Sequence, residues 1–422
     1  MSSFIAYTLF GLFSGAAYAI AASGLVLTYS TTRVFNVAHG AFGMLLSFVF
    51  WDFSVRQGMP TILALALVLF VVAPAIGWFI ARFVARGLGD APASVSLVVT
   101  VALLVGCIGV AEQVYPEEAR TVLPFFTGTT YDVGGASITA HQVITILASV
   151  LVAAGLYVLL TRTRIGTAMR ASVDNPELLR LFGGKPDRVA ALAWMIGISL
   201  AGLGGILLVS TVGLDKYSLT LLVINAYAAA MLGRLKSLPL TFVGAMGLGL
   251  LTSYVPGYVH LDGWLAQIKS VIPALFLFVV VVALPQTQLR IGQVKGIVSA
   301  PLPSLSRALG WSAGLLLFVA LLAGAMSTAN QLLVGTAATF AIVMLSLVLL
   351  TGYGGHVSLA QLTFTGVGAL VYCKLEEPTL LGLLISALVA AGVGALVALP
   401  VLRLTGLYLA LATLAFASIM DK

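Results

Sequence analysis

The sequence predicts an all-α polytopic membrane protein, a multi-span helical bundle made of two pseudo-repeated halves. Three observations carry this. First, 60% of the 422 residues are apolar and only 8% are charged, against about 25% charged residues in a soluble domain, and the mean hydropathy is +1.12. Second, the apolar residues form long runs without the in/out alternation of a membrane barrel strand. Third, a motif recurs 322 residues apart, as "VFNVAHGAFG" (34–43) and "HVSLAQLTFTGVG" (356–368). The composition excludes a water-soluble enzyme, a nucleic-acid-binding protein and a disordered chain, because such a surface would not stay wetted.

Charged residues divide the chain into candidate spans at 4–27, 37–55, 61–81, 94–113, 141–160, 189–210, 220–233, 238–256 and 264–285, then 309–327, 330–350, 357–373, 379–401 and 405–420. The first basic residue is Arg33, so the first run lacks the positive region of a signal peptide and is expected to persist in the mature protein. The 44 glycines suit close helix contact in lipid. The short span 220–233, and 37–55, which Gly40 and Gly43 are expected to break, are candidates for re-entrant or unwound segments. Cys107 and Cys373 both lie in apolar runs and read as inert buried thiols, and the spacing of His, Cys, Asp and Glu suggests no metal site.

Orientation follows from charge. With the N-terminus outside, 15 basic and 4 acidic residues lie inside, against 6 basic and 10 acidic outside, in accord with the positive-inside rule. Residues 112–140, with Glu112, Glu117, Glu118 and Asp132, then form an irregular acidic outer segment. The Pro- and Gly-bearing stretch 286–308 reads as a cytoplasmic linker between a first domain, 1–285, and a second, 309–422. Across the repeat, Phe42 matches Phe364, Ala38 matches Ala360, Asn36 faces Ser358 and His39 faces Gln361. Two homologous halves are expected, the second cut short.

Residues 161–188, "TRTRIGTAMRASVDNPELLRLFGGKPDR", are the longest polar insertion on the inner side. A short helix is expected over Arg164–Val173. Asp174 or Asn175 then caps a second with Pro176 at its first position, Gly183 and Gly184 end it, and Pro186 blocks its continuation. Leu178, Leu181 and Phe182 share one face of that second helix, and Glu177 and Arg180 are placed to pair. A helix this short needs a groove to be stable. Two readings stand: an ordinary basic loop held by headgroup phosphates, or a docking helix for a soluble motor. The motor is not in this chain, because Gly183-Gly184-Lys185 is followed by Pro186 and lacks the upstream glycine of a P-loop.

Here the residues resemble a known family. "GLVLTYSTTRVFNVAHGAFGML" (24–45) and "RTRIGTAMRASVDNPELLRLFG" (162–183) resemble the first permease subunit of branched-chain amino-acid ABC importers. "LTGYGGHVSLAQLTFTGVGA" (350–369) and "RLTGLYLALATLAFA" (403–417) resemble the companion second subunit. The resemblance implies a type II-like importer membrane domain with both permease subunits fused and the second truncated. It also implies two cytoplasmic ATPase subunits that bind the ATP, an extracytoplasmic substrate-binding protein, a bacterial inner-membrane location and a further permease segment supplying the missing C-terminal part. No cofactor is expected in the chain itself. The family's coupling region maps onto Gly166, Ala168, Arg170, Glu177 and Gly183, and the loop reading adds Arg164, Leu178, Leu181 and Phe182.

Polar groups buried in a membrane are costly and mark candidate sites. Asn36 and His39 with Ser358 and Gln361 are candidates for a central pathway, as is Asn225 in the short span; satisfaction of broken-helix carbonyls is the competing role. A secondary transporter is disfavoured because all 14 acidic residues fit at loops or span ends. An intramembrane enzyme is disfavoured because the four histidines lack paired carboxylates. A facilitative channel stays open, and similar permeases for urea and short amides leave the substrate open too.

Overall fold

The computed structural model describes residues 2–88, 91, 93–116, 118, 120–259, 266–284, 303–375, 379–401 and 403–421. Its helices are α1 (Ser2–Thr32), α2 (His39–Trp51), α3 (Thr61–Leu88), α4 (Ala93–Val114), α5 (Ala140–Arg162), α6 (Arg164–Asp174), α7 (Pro176–Leu181), α8 (Pro186–Val212), α9 (Lys216–Leu221), α10 (Val223–Leu232), α11 (Leu238–Tyr258), α12 (Ile268–Ala283), α13 (Leu305–Gly324), α14 (Thr328–Tyr353), α15 (Gln361–Cys373), α16 (Leu380–Val401) and α17 (Gly406–Met420). Each expected span contains a helix. Among the described residues, nine helices are long and apolar enough to cross a membrane. The chain is an integral membrane protein of the polytopic helical kind. Most of the expected linker, 286–302, lies outside the described residues.

The chain forms two compact units, Met1–Pro285 with Pro400–Lys422, and Gln286–Leu399. The first is organised around α1, whose small residues admit neighbouring backbones. A methyl group added at Gly15 would lie 2.9 Å from the Ala245 carbonyl of α11, and one at Gly24 would lie 2.7 Å from the Gly197 carbonyl of α8. Such contacts carry helix association in lipid, where apolar burial alone offers no gain. Phe42, Phe50, Trp194 and Ile198 form a buried cluster with Val34 and Ala38. Helix α17, grouped by sequence order with 309–422, belongs to this first unit, and the Arg403 guanidinium there donates to the Val282 carbonyl at the end of α12.

In the second unit, α13 and α15 bury none of their side chains, an apolar exterior suited to lipid. Within it α15 meets α16 through small residues, a methyl at Gly368 lying 3.8 Å from Ala390 Cβ.

Three expectations are corrected: the break within 37–55, the irregular outer segment, and the burial of Cys373, which is exposed whereas Cys107 is buried. Helix α2 runs unbroken through Gly40 and Gly43. These glycines are contact points, since a Cβ at Gly40 would stand 2.4 Å from the Thr220 carbonyl and one at Gly43 would stand 2.8 Å from that of Ala201. The interruption precedes them, at 33–38, where Arg33 takes φ 60 as the residue that ends α1. The short span is likewise interrupted, at Leu222 between α9 and α10. The outer segment contains an antiparallel hairpin, β1 (Thr130–Val133) with β2 (Ala136–Thr139). Its two-residue turn is Gly134-Gly135 with φ 61 and 81, a left-handed pair that glycine adopts without strain.

Candidate translocation pathway and coupling loop

The interrupted segment 33–38 is held from several sides. Tyr227 of α10 donates its hydroxyl to the Val37 carbonyl (2.7 Å), and its ring lies 5.1 Å from that of Phe35. At the start of α2, His39 Nε2 donates to the Ala21 carbonyl of α1 (2.9 Å). That bond places the imidazole proton on Nε2 and leaves Nδ1 with an open lone pair.

Asn36, His39 and Asn225 are all buried. Each carries a side-chain atom with no hydrogen-bond partner: Asn36 Oδ1, His39 Nδ1 and Asn225 Oδ1. Buried acceptors left unpaired cost roughly 1–3 kcal/mol each, so three on or beside one interruption call for an explanation. Trp194 of α8, which packs with Val34 and Ala38, adds an unpaired buried donor, Nε1. Sequence reading missed Trp194 and Tyr227. An indole N–H in mid-span, and a tyrosine two residues from Asn225, were the available signals.

Ser358 and Gln361 lie in the second unit. Ser358 is buried, and its Oγ accepts from the Ala360 N–H (3.3 Å). The local backbone repeats that around Asn36. A left-handed residue, Gly355 with φ 66, takes the place of Arg33, and α15, like α2, is a 13-residue helix that starts after an alanine.

On the polar side, residues 161–188 fold much as their local signals predict. Thr163 caps α6, its Oγ1 accepting from the Gly166 N–H (3.1 Å) and donating to the Leu159 carbonyl (2.6 Å). Gly166 is required sterically, because a Cβ there would meet the Leu159 carbonyl at 2.1 Å. Met169 is buried with Ile20 and Leu27 of α1, Ala168 packs at the edge of that cluster, and Ser172 Oγ donates to the Thr31 carbonyl (3.2 Å). The loop is thereby fastened to α1. Neither Met169 nor Ser172 was singled out from sequence, because the contact is long-range.

Asn175 caps α7 by accepting from the Leu178 N–H (2.9 Å), Pro176 occupies its first turn, and Gly183 with φ 78 closes it. Pro186 opens α8. The expected Glu177–Arg180 pair is replaced: Arg180 reaches Asp187 at 3.8 Å, and Asp187 also binds Arg86 at 3.2 Å. Asp187 attracts both cations at once, which the local i, i+3 pairing of Glu177 does not. Arg164, Arg170 and Glu177 are exposed. Leu181 and Phe182 are 84% and 83% exposed, with Leu178 beside them at 48%. This apolar edge has no covering element in the chain as described.

Among the described residues no cluster of His, Cys, Asp and Glu could hold a metal ion.

The family model for "Branched-chain amino acid transport system / permease component" matches residues 7–283. Curated relatives agree. The probable branched-chain amino acid transport permease protein of Methanocaldococcus jannaschii is 28% identical over 243 residues, spanning 56% of this chain and 76% of that protein. The high-affinity branched-chain amino acid transport system permease protein LivH of Escherichia coli is 27% identical over 289 residues, covering 65% and 92%. The corresponding protein BraD of Pseudomonas aeruginosa is 26% identical over 257 residues, covering 58% and 83%. No solved structure gives a significant match.

Proposed function

Since the chain belongs to the family of permease components of branched-chain amino acid transport systems, we propose how its parts divide that work: segment 33–39 with α10 forms the pathway, and residues 161–188 receive the motor. The chain is the transmembrane permease component of an importer for branched-chain amino acids, and a transport permease is not an enzyme class. ATPase and substrate-binding partners accompany such a permease. In our reading two cytoplasmic ATPases dock, an extracytoplasmic binding protein delivers the substrate, and the N-terminus faces outside. Fusion of both permease subunits, divided near 286–308, rests on the recurring motif and the left-handed residues Arg33 and Gly355.

The observation that carries the coupling role is the exposed Leu178–Leu181–Phe182 edge on a short, doubly capped helix that directly follows α6, which Ser172 fastens to α1. An apolar edge on a rigid mount, at the polar end of the spans, suits a groove on a partner. In the pathway, the acceptors of Asn36, Asn225 and His39 suit the ammonium group of an amino acid, and the Trp194 N–H suits its carboxylate. In the second unit Ser358 and Gln361 hold the equivalent sequence positions.

The test reconstitutes the full transporter with its binding protein and ATPases. Labelled leucine should enter only with binding protein and ATP. The double substitution Glu177→Arg, Leu181→Asp should abolish co-purification of the ATPases while membrane insertion is kept. Retained co-purification removes the coupling role, and nucleotide-independent leucine flux would favour a channel.

A further inference from the structure

Behind the exposed edge of α7 lies a second feature of different chemistry. A cavity of about 300 Å³ is lined by Arg180, Gly184, Lys185, Pro186, Asp187 and Arg188. At 100° per residue Arg180 projects roughly opposite Leu178 and Phe182, so the cavity and the apolar edge occupy different sides of the same short helix. Arg86 joins the rim through its ion pair with Asp187. Four cations therefore surround one carboxylate. Asp187 is engaged with Arg86 and Arg180, and among the described residues Lys185 and Arg188 have no carboxylate within ion-pair distance. The cavity is an open, net positive cleft lined by exposed charges, with two cations uncommitted.

Its position narrows the ligand. Pro186 opens α8, a helix long and apolar enough to cross a membrane, so the cavity stands where a span leaves the hydrocarbon and headgroups begin. Arg and Lys in such a place meet phosphate oxygens, the Arg planes pairing with two oxygens at a time and Lys acting as a point charge. We propose that this cavity binds the phosphate of an anionic phospholipid headgroup. The bound lipid would hold the loop's C-terminal end at the membrane surface and leave the Leu181–Phe182 edge free for a protein partner. Clefts of this kind on the cytoplasmic side suit anionic headgroups. The proposal does not depend on the transport reading, because lipid retention is measured on the purified chain alone.

The full chain is purified in neutral detergent, offered phosphatidylglycerol and phosphatidylcholine in equal amounts, and its retained lipids are counted by native mass spectrometry. Phosphatidylglycerol should be retained preferentially. The pair Lys185→Gln, Arg188→Gln should weaken its retention about 30-fold, roughly 5-fold per cation, while the charge-matched pair Arg162→Gln, Arg307→Gln should change it little. Asp187→Asn, which removes the one acid, should tighten retention, an outcome that misfolding would not produce. Equal retention of the two lipids overturns the proposal, as does an equal loss in the two charge-matched pairs. Displacement of the lipid by millimolar inorganic phosphate would also overturn it, assigning the cavity to a free anion instead.

Discussion

The hydroxyl of Tyr227 reaches the carbonyl of Val37 across 190 positions of sequence, at 2.7 Å, with both residues buried. The carbonyl belongs to a segment that has left the helical ladder, so this donor replaces an intrahelical partner. Lipid would not supply one. Tyr227→Phe should leave the carbonyl unpaired and destabilise the fold by about 1–3 kcal/mol, read as a lowered denaturation midpoint in mixed micelles. An unchanged midpoint would mean that another donor serves Val37.

Removal of the unpaired acceptors should have the opposite signature. Asn36→Leu and Asn225→Leu each replace a buried side chain bearing an unpaired oxygen with an apolar one of similar size. Stability should hold or rise, since an unmet polar atom is removed, while leucine uptake should fall at least tenfold if these oxygens meet the substrate. Uptake at the parental rate, with the same stability, would assign both to packing.

Gly166→Ala tests how residues 161–188 are mounted on the helices beside them. Its added Cβ would lie 2.1 Å from a backbone carbonyl, which has no rotamer by which to yield. Helix α6 should be displaced from α5, and protection of the Met169 region against hydrogen exchange should be lost. Gly106→Ala, with nothing within 4 Å, is the control expected to behave as the parent.

Acid should loosen the entry to the short span. Partial burial pushes the Asp215 carboxyl up, but the N–H and O–H of Ser218 with the N–H groups of Tyr217 and Lys216 outweigh it and hold the acid below its ordinary value. A depressed folded-state value stabilises above the unfolded pKa of about 4, and that contribution disappears as pH falls through the folded value. Asp215→Ala should cost about 1 kcal/mol at neutral pH through loss of the α9 cap, less what exposure to solvent screens. The difference between parent and variant should shrink below pH 4, and a constant difference would argue against the cap.

Most span positions were readable because charge is so scarce: Arg, Lys, Asp and Glu gather in the loops and towards the span ends. The loop 161–188 was readable for a related reason. Thr163, Asn175, Pro176 and Gly183 act on their own neighbours, and local rules govern them. What escaped was long-range. Gly40 and Gly43 look like breaks in one dimension and become contacts only when Thr220 and Ala201 arrive from distant helices. Glu177 lost Arg180 to Asp187 for the same reason. The Gly134-Gly135 hairpin was within reach of local turn chemistry, but the surrounding prolines and acids masked it. Of the candidate site, Asn36, His39 and Asn225 stood out in sequence as polar residues in apolar runs, whereas the Ala21 carbonyl that holds His39, and the approach of Tyr227 and Trp194 from distant helices, did not.

Helix α1 spans 31 residues, about 46 Å of unbroken rod. Near one tip it carries Thr31, gripped by Ser172, and partway along it holds His39 through Ala21, while Tyr7 towards the far tip accepts from Ser253. Under the proposed coupling role, a displacement of residues 161–188 acts directly on the Thr31 tip of α1. The same continuous helix also holds His39 at the start of α2, so residues 161–188 and the bend at 33–38 are fastened to one rod.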